Sequence, residues 1–202
     1  MGYFGVKMYR KWSIKLTSSL LQRELINADD IEVYEYSIEV LISDIVYFLI
    51  AFLTAIISKT ILESVLFFLG FFSVRKVAGG YHANSYGMCH FLFWLNQVIM
   101  ILLSKFLIAT YYRQATFLFL IIGTICILAF APIENENKPF SSKEKKKFAC
   151  LSRIIAVLTL FTITVLSFAD VSFQYIAIYA FGFFSVSVSL VAEKIKKLRK
   201  RR

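Results

Sequence analysis

Cysteine, proline, histidine and acidic residues are all in short supply. The 202-residue chain holds three Cys, two Pro and two His, with 13 Asp+Glu against 23 Lys+Arg. Cys89, Cys126 and Cys150 lie far apart with no CxxC pair, which argues against a disulfide framework and a thiolate metal site. Charged residues make up only 18%, where soluble domains run at about 25%. No GxSxG elbow, HExxH helix or P-loop GK[ST] is present. Residues 1–11 are basic, yet no apolar h-region comes after them, so a cleavable signal peptide is not expected. What fills the chain instead is apolar: 58% hydrophobic, 17% aromatic, 21 Phe and 11 Tyr, with a mean hydropathy of +0.68. A chain this short has too much surface to hide such an excess in one aqueous core. Soluble enzyme, disordered chain and disulfide scaffold are excluded, and an all-α integral membrane protein is expected.

Residues 3–27 mix Trp12, Leu16, Leu20 and Leu21 at helical spacing with Lys7, Arg10, Lys11, Lys15 and Arg23. That pattern predicts an amphipathic helix lying in the headgroup region, within an N-terminal segment 1–30. Asn27-Ala28-Asp29-Asp30 comes next, with carboxylates suited to capping the next helix. Six apolar runs lie near 37–57, 60–74, 89–110, 115–131, 148–169 and 171–192, the last two parted only at Asp170. A span needs about 20 residues, so the second run is short and the fourth marginal. The reading is about six transmembrane helices in one polytopic domain, with four or five also compatible. No internal or inverted repeat of a transporter is visible.

Basic residues fall in alternate loops. Five lie in 1–36, two in 73–88, six in 132–153 and seven in the tail Lys194–Arg202, leaving only Lys59, Lys105 and Arg113. In a six-span chain those four clusters share one side. The positive-inside rule places them, and both termini, in the cytoplasm. An anionic lipid surface is the simpler partner for the charge, nucleic acid is not expected, and the 193–202 tail reads as a polybasic anchor.

The most unusual segment is 75–90, RKVAGGYHANSYGMCH, which holds three of the eight Gly and both His. Cysteine attack needs a thiolate and a base, and Cys89 and His82 supply those types. Seven residues on a straight helix would separate them by about 10.5 Å. Asn84, Ser85 and Gly87 are turn-formers that let the chain fold back, with Cys89 at a helix start. By pattern alone the pair reads more readily as a small packing Cys and an interfacial His.

At these residues the sequence resembles the accessory gene regulator protein B family, membrane endopeptidases that mature autoinducing peptide precursors in quorum sensing. Arg75, Gly79-Gly80, His82 and Cys89 match in order and spacing, as do Ala131-Pro132, Asn137-Lys138-Pro139 and the Lys143–Lys147 run. The resemblance covers nearly the whole chain. It implies Cys89 as nucleophile and His82 as base and later acid, with Arg75 and Gly80 supporting the loop or the substrate. It marks no third member of a triad; Asn84 and Ser85 are the residues nearby able to orient the imidazole. It further implies a precursor peptide with an acidic C-terminal tail, met by Lys138, Lys143, Lys145, Lys146 and Lys147 of the 132–147 loop. A homodimer is compatible with it, and no cofactor or metal is expected. The site would sit at the cytoplasmic face of a multi-pass cell-membrane protein.

Other polar residues have plainer readings. Glu39 and Glu63 lie near span ends and read as solvated, whereas Asp44 is deeper and reads as a polar contact. His90 adjoins Cys89 but points elsewhere on a helix. Cys126 and Cys150 read as packing residues. The rival class is a small channel or transporter whose glycine-bearing loop lines a vestibule.

Overall fold

The computed structural model describes residues 2–81, 83, 86–106, 111–134, 140–169 and 172–200, and among these no strand forms. The same residues form seven α-helices: α1 (Gly2–Gln22), α2 (Ile31–Ser58), α3 (Ile61–Ala78), α4 (Tyr86–Phe106), α5 (Tyr112–Phe130), α6 (Ser142–Leu166) and α7 (Phe173–Lys200). Each of the six apolar runs overlaps one of α2–α7. Five helices, all but α1 and α3, are long and apolar enough to cross a membrane. With only 18 residues, α3 has no stretch of span length clear of its Glu63, Arg75 and Lys76, whereas the other five each hold at most two charges in an apolar stretch of that length. The expected break at Asp170 lies outside the described residues, as do Arg201 and Arg202 of the tail.

One compact unit comprises residues 1–59 and 83–95. Here α1 packs on α2 through its small residues: Ser13 and Thr17 are buried, one turn apart on one face, and Ser13 Oγ donates to the Glu35 carbonyl at 2.8 Å. Trp12 and Leu16 each stay 50% exposed. The expected carboxylate cap on α2 does not form. Asp30 occupies the cap position without a side-chain hydrogen bond, because Ala28–Asp30 is wound into a 3-10 turn ahead of the helix. Asp29, Asp30 and Glu32 still place negative charge at the positive end of the helix. Ser43, Tyr47, Ala51 and Ala55 recur every fourth residue as the buried stripe of α2. Tyr47 meets the rings of His90 and Phe93 on α4, and Trp94 Nε1 donates to Thr54 Oγ1 at 3.1 Å.

The other unit comprises residues 60–82 and 96–202, with α7 at its centre. Close approach of α3 and α7 depends on two glycines. A Cβ at Gly70 would run into the Tyr179 carbonyl, and one at Gly182 into the Phe67 carbonyl. Lipid offers no hydrophobic drive between helices, so small residues that let backbones touch are what bind them. Ser187 Oγ of α7 donates to the Gly123 carbonyl of α5 at 3.0 Å. Gln97 Nε2 reaches Ser64 Oγ at 3.2 Å, and Tyr112 OH donates to the Ser104 carbonyl at 2.8 Å. A capping box between Ser141 and Glu144 starts α6. Cys126 is half-buried, but Cys150 is exposed on α6, so it does not serve as the packing residue expected of it.

Candidate functional site

The chain leaves α3 at Gly79, whose φ of +72° is costly for any residue with a side chain. Its N–H still reaches the Arg75 carbonyl at 3.1 Å. Gly79 then runs parallel to Ile133 in a single bridge, and Ile133 N–H donates to the Ala78 carbonyl at 2.9 Å. The preceding Ala131–Pro132 bond is cis. The two short motifs, Gly79-Gly80 and Ala131-Pro132, are therefore side by side.

Arg75 fixes the backbone from Gly79 to Tyr81. Its Nη1 donates to the Gly79 carbonyl at 2.5 Å and to Ser189 Oγ of α7 at 3.0 Å, while Nη2 donates to the Tyr81 carbonyl at 2.8 Å. Tyr81 N–H in turn donates to Ser189, at 3.0 Å to its carbonyl and 2.9 Å to its hydroxyl. The planar guanidinium suits such a divided task, since its donors point in fixed directions. Gly80, at φ +135°, leaves the room that the guanidinium occupies. Lys196 Nζ stands 5.2 Å from the centre of the Tyr81 ring, a cation–π contact. Arg75 and Gly80 are thus loop-supporting residues, and the loop they shape leads directly into His82.

His82, Asn84, Ser85 and Lys138 lie outside the described residues. Cys89 is half-buried in the first turn of α4, at the helix start expected of it. Its neighbour His90 has both ring nitrogens engaged: Nδ1 lies 3.1 Å from Ser43 Oγ and Nε2 lies 3.1 Å from Asp44 Oδ1. Tyr47 stacks on the imidazole at 5.2 Å and 16°. Asp44 therefore makes the polar contact expected of it, and both nitrogens of His90 are taken up by α2. Glu39 and Glu63 are half-buried rather than fully solvated.

Lys143, Lys145, Lys146 and Lys147 are exposed at the start of α6. Lys145 Nζ pairs with Glu134 Oε1 at 2.9 Å, and the Glu134 carbonyl accepts from Lys197 Nζ of α7 at 2.5 Å. Ser189, Ser43 and Tyr47 escaped the reading of the sequence. So did Glu193, buried one turn beyond Ser189, whose Oε2 finds no hydrogen-bond partner among the described residues. A signal for Ser189 existed in the alternation of Ser185, Ser187 and Ser189 within an apolar helix, because hydroxyls in such helices commonly bond across to neighbours.

Five apolar membrane-length helices and a polar, glycine-bent loop define a multi-pass membrane protein. The family model described as accessory gene regulator B matches residues 13–190, and the chain belongs to that family. It is similar to an AgrB-like protein of Clostridium perfringens strain SM101, 26% identical over 140 residues, covering 66% of this chain and 65% of the relative. A second AgrB-like protein, from C. perfringens strain 13, is 24% identical over 121 residues, covering 57% and 56%. The accessory gene regulator protein B of Staphylococcus haemolyticus is 26% identical over 125 residues, covering 61% and 64%. The chain thus spans less than two thirds of the length of these curated relatives. No solved structure matches it.

Proposed function

We propose that this chain is a membrane-embedded cysteine endopeptidase that removes the C-terminal tail of a short signalling-peptide precursor and passes the remainder on for cyclisation. The observation that carries the reading is the Arg75–Ser189 clamp on Gly79–Tyr81. It commits four hydrogen bonds to the backbone just before His82, and a fifth ties Arg75 to Ser189, which is worthwhile where an imidazole must be held in place. Family membership supports peptide processing in accessory gene regulator signalling.

The chemistry balances with two residues. His82 takes the Cys89 thiol proton, and the sulfur attacks the carbonyl carbon of the scissile bond. The C–N bond breaks, the tail's new amine takes the proton from His82, and the acyl group stays on Cys89 as a thioester. A Cys or Ser of the bound peptide then gives its proton to His82 and attacks that carbonyl. Cys89 leaves as thiolate and a thiolactone or lactone closes. The thioester conserves the activation that hydrolysis would dissipate.

In this reading α3 is the sixth crossing. Its 18 residues measure about 27 Å along the axis, close to the hydrocarbon thickness, and its charges sit at its two ends. Six crossings put both termini, the 75–90 loop and the 132–147 loop on the cytoplasmic side. The exposed Met8, Trp12 and Leu16 of α1, four residues apart, make the lipid-facing edge of an interfacial helix. Lys138, Lys143, Lys145, Lys146 and Lys147 receive the acidic tail of the precursor.

The test is cleavage of an acidic-tailed precursor in proteoliposomes, with mass spectrometry of the products. Tail release with an acyl adduct on Cys89, lost in Cys89→Ala and His82→Ala, is the expected result. Undiminished cleavage by Cys89→Ala overturns the reading.

A further inference from the structure

Between α3 and α7 lies an apolar groove of about 470 Å³, lined by Val65, Phe68, Leu69, Phe72 and Ser73 of α3 and by Tyr179 of α7. Small-molecule sites run at about 300–1,000 Å³, so the space is of ligand size. Val65 and Leu69 remain 47% and 55% exposed. With Phe68 and Phe72 they recur three and four apart, as one stripe along the helix. Ser73 is the small residue of that stripe, and its hydroxyl donates back to the Gly70 carbonyl at 2.8 Å. The walls therefore ask nothing polar of an occupant.

Lys76 continues the stripe, four residues beyond Phe72 and three beyond Ser73. It is exposed, and among the described residues it has no ion-pair partner. Arg75 beside it is spent on the backbone of Gly79 and Tyr81. Glu63 is the only acidic residue of α3, and it lies about 20 Å away along the axis. The distance from Val65 to Lys76 is about 16 Å, close to half of a hydrocarbon core about 30 Å thick. One leaflet's depth of apolar groove thus ends at an uncommitted cation.

We propose that this groove holds one anionic phospholipid, with an acyl chain along Val65–Phe72 and its phosphate at the Lys76 ammonium. A hydrocarbon chain matches the walls and their length, and a head of net negative charge answers the cation. Lysine reaches such a head by laying its stem on apolar surface and keeping the ammonium in the interface. An extended peptide would instead leave its backbone polar groups without partners against these walls. The inference takes α3 as a crossing, which rests on the proposed reading, and needs nothing of its peptidase chemistry.

The test is native mass spectrometry of the full chain in detergent, titrated with dioleoyl phosphatidylglycerol or dioleoyl phosphatidylcholine. The expected result is a first phosphatidylglycerol bound more tightly than phosphatidylcholine. Lys76→Ala weakens it about fivefold, one lysine's share at an anionic surface, and leaves phosphatidylcholine binding unchanged. Lys105→Ala, which removes an exposed charge in the last turn of α4, leaves both unchanged. Ser73→Phe fills the groove and removes tight binding of either lipid. Phosphatidylglycerol binding that survives Lys76→Ala undiminished, or that Lys105→Ala weakens as much, overturns the inference in favour of diffuse surface attraction. Loss of a dimer in Ser73→Phe with the lipid count unchanged overturns it in favour of a second copy of the chain. The crossing is checked apart, with Ile61→Cys and Lys76→Cys in an otherwise cysteine-free chain, which are expected to react with impermeant maleimide from opposite sides of the membrane. Labelling of both from one side overturns the crossing in the proposed reading, and the lipid titration still decides the groove.

Discussion

Arg75 of α3 and Ser189 of α7 hold one piece of backbone between them: the guanidinium takes the Tyr81 carbonyl at 2.8 Å while Ser189 takes the Tyr81 N–H at 2.9 and 3.0 Å. Both backbone polar groups of Tyr81 are satisfied, so its orientation is set by two helices at once. Arg75→Lys keeps the charge but cannot reach Gly79, Tyr81 and Ser189 together, since an ammonium on a flexible stem lacks the fork. Precursor cleavage in proteoliposomes is expected to fall at least tenfold, with a loss of about 2–4 kcal/mol in stability from the abandoned acceptors. Ser189→Ala removes one hydroxyl and leaves both carbonyl bonds of Arg75, so its cost is smaller, about 1 kcal/mol. Cleavage rates and melting curves of the two variants check the order.

Two glycines in the same segment have opposite expectations. Gly80 is at φ +135°, and a Cβ there would collide with the Arg75 guanidinium. Gly80→Ala is expected to displace the arginine and to lose as much activity as Arg75→Lys. Gly87 has nothing within 4 Å of a would-be Cβ and lies in the first turn of α4. Gly87→Ala is therefore expected to retain activity and to gain a few tenths of a kcal/mol from helix propensity. Parallel assays of the two alanine variants decide the matter, and equal damage in both would mean that the loop shape, not the space, is what matters.

The two histidines are separable by mutation. His90 already commits both nitrogens to Ser43 and Asp44, whereas His82 is the base of the proposed mechanism. His82→Ala is expected to slow cleavage by at least a hundredfold, the scale of a lost general base. His90→Gln, which keeps hydrogen-bonding groups toward α2, is expected to slow it by no more than about tenfold. Single-turnover rates measure both, and the reverse order would make His90 the base.

Much of the fold was legible from local pattern. Six apolar runs became six helices because periodicity and length are properties of a segment, and Gly79 and Gly80 stand where the chain takes the positive φ that glycine adopts most readily. Partners from distant parts of the chain were not legible. Nothing within α7 marks Ser189 rather than Ser185 or Ser187 as the residue facing Tyr81, and nothing in α2 tells that Tyr47 stacks on His90. The N-terminal helix shows a different limit. Its pattern marked an interfacial helix with an apolar edge, but not that Ser13 and Thr17 pack on α2 while Trp12 and Leu16 stay exposed, since helices in a membrane meet through small residues that no periodicity singles out. Likewise the Asp29-Asp30 cap failed because the chain tightened into a 3-10 turn that only the surrounding backbone determines.

For the lysines of α6 the deciding variable is salt. Lys145 already pairs with Glu134, but across an exposed contact, so Lys145→Ala alone should cost less than about 1 kcal/mol of stability. Replacing Lys143, Lys145, Lys146 and Lys147 together with Ala removes four exposed charges from the start of α6. If they receive an acidic tail, KM for an acidic-tailed precursor rises about tenfold at low ionic strength, from several screened attractions each worth a few tenths of a kcal/mol, while kcat holds because the reacting groups are untouched. The difference from the parent should shrink toward nothing in 1 M salt, where the screening length is about 3 Å. A precursor with a neutral tail should show little difference between the two proteins at any salt. A fall in kcat with unchanged KM would instead place these lysines near the chemistry, acting on the acyl-enzyme and not on the tail.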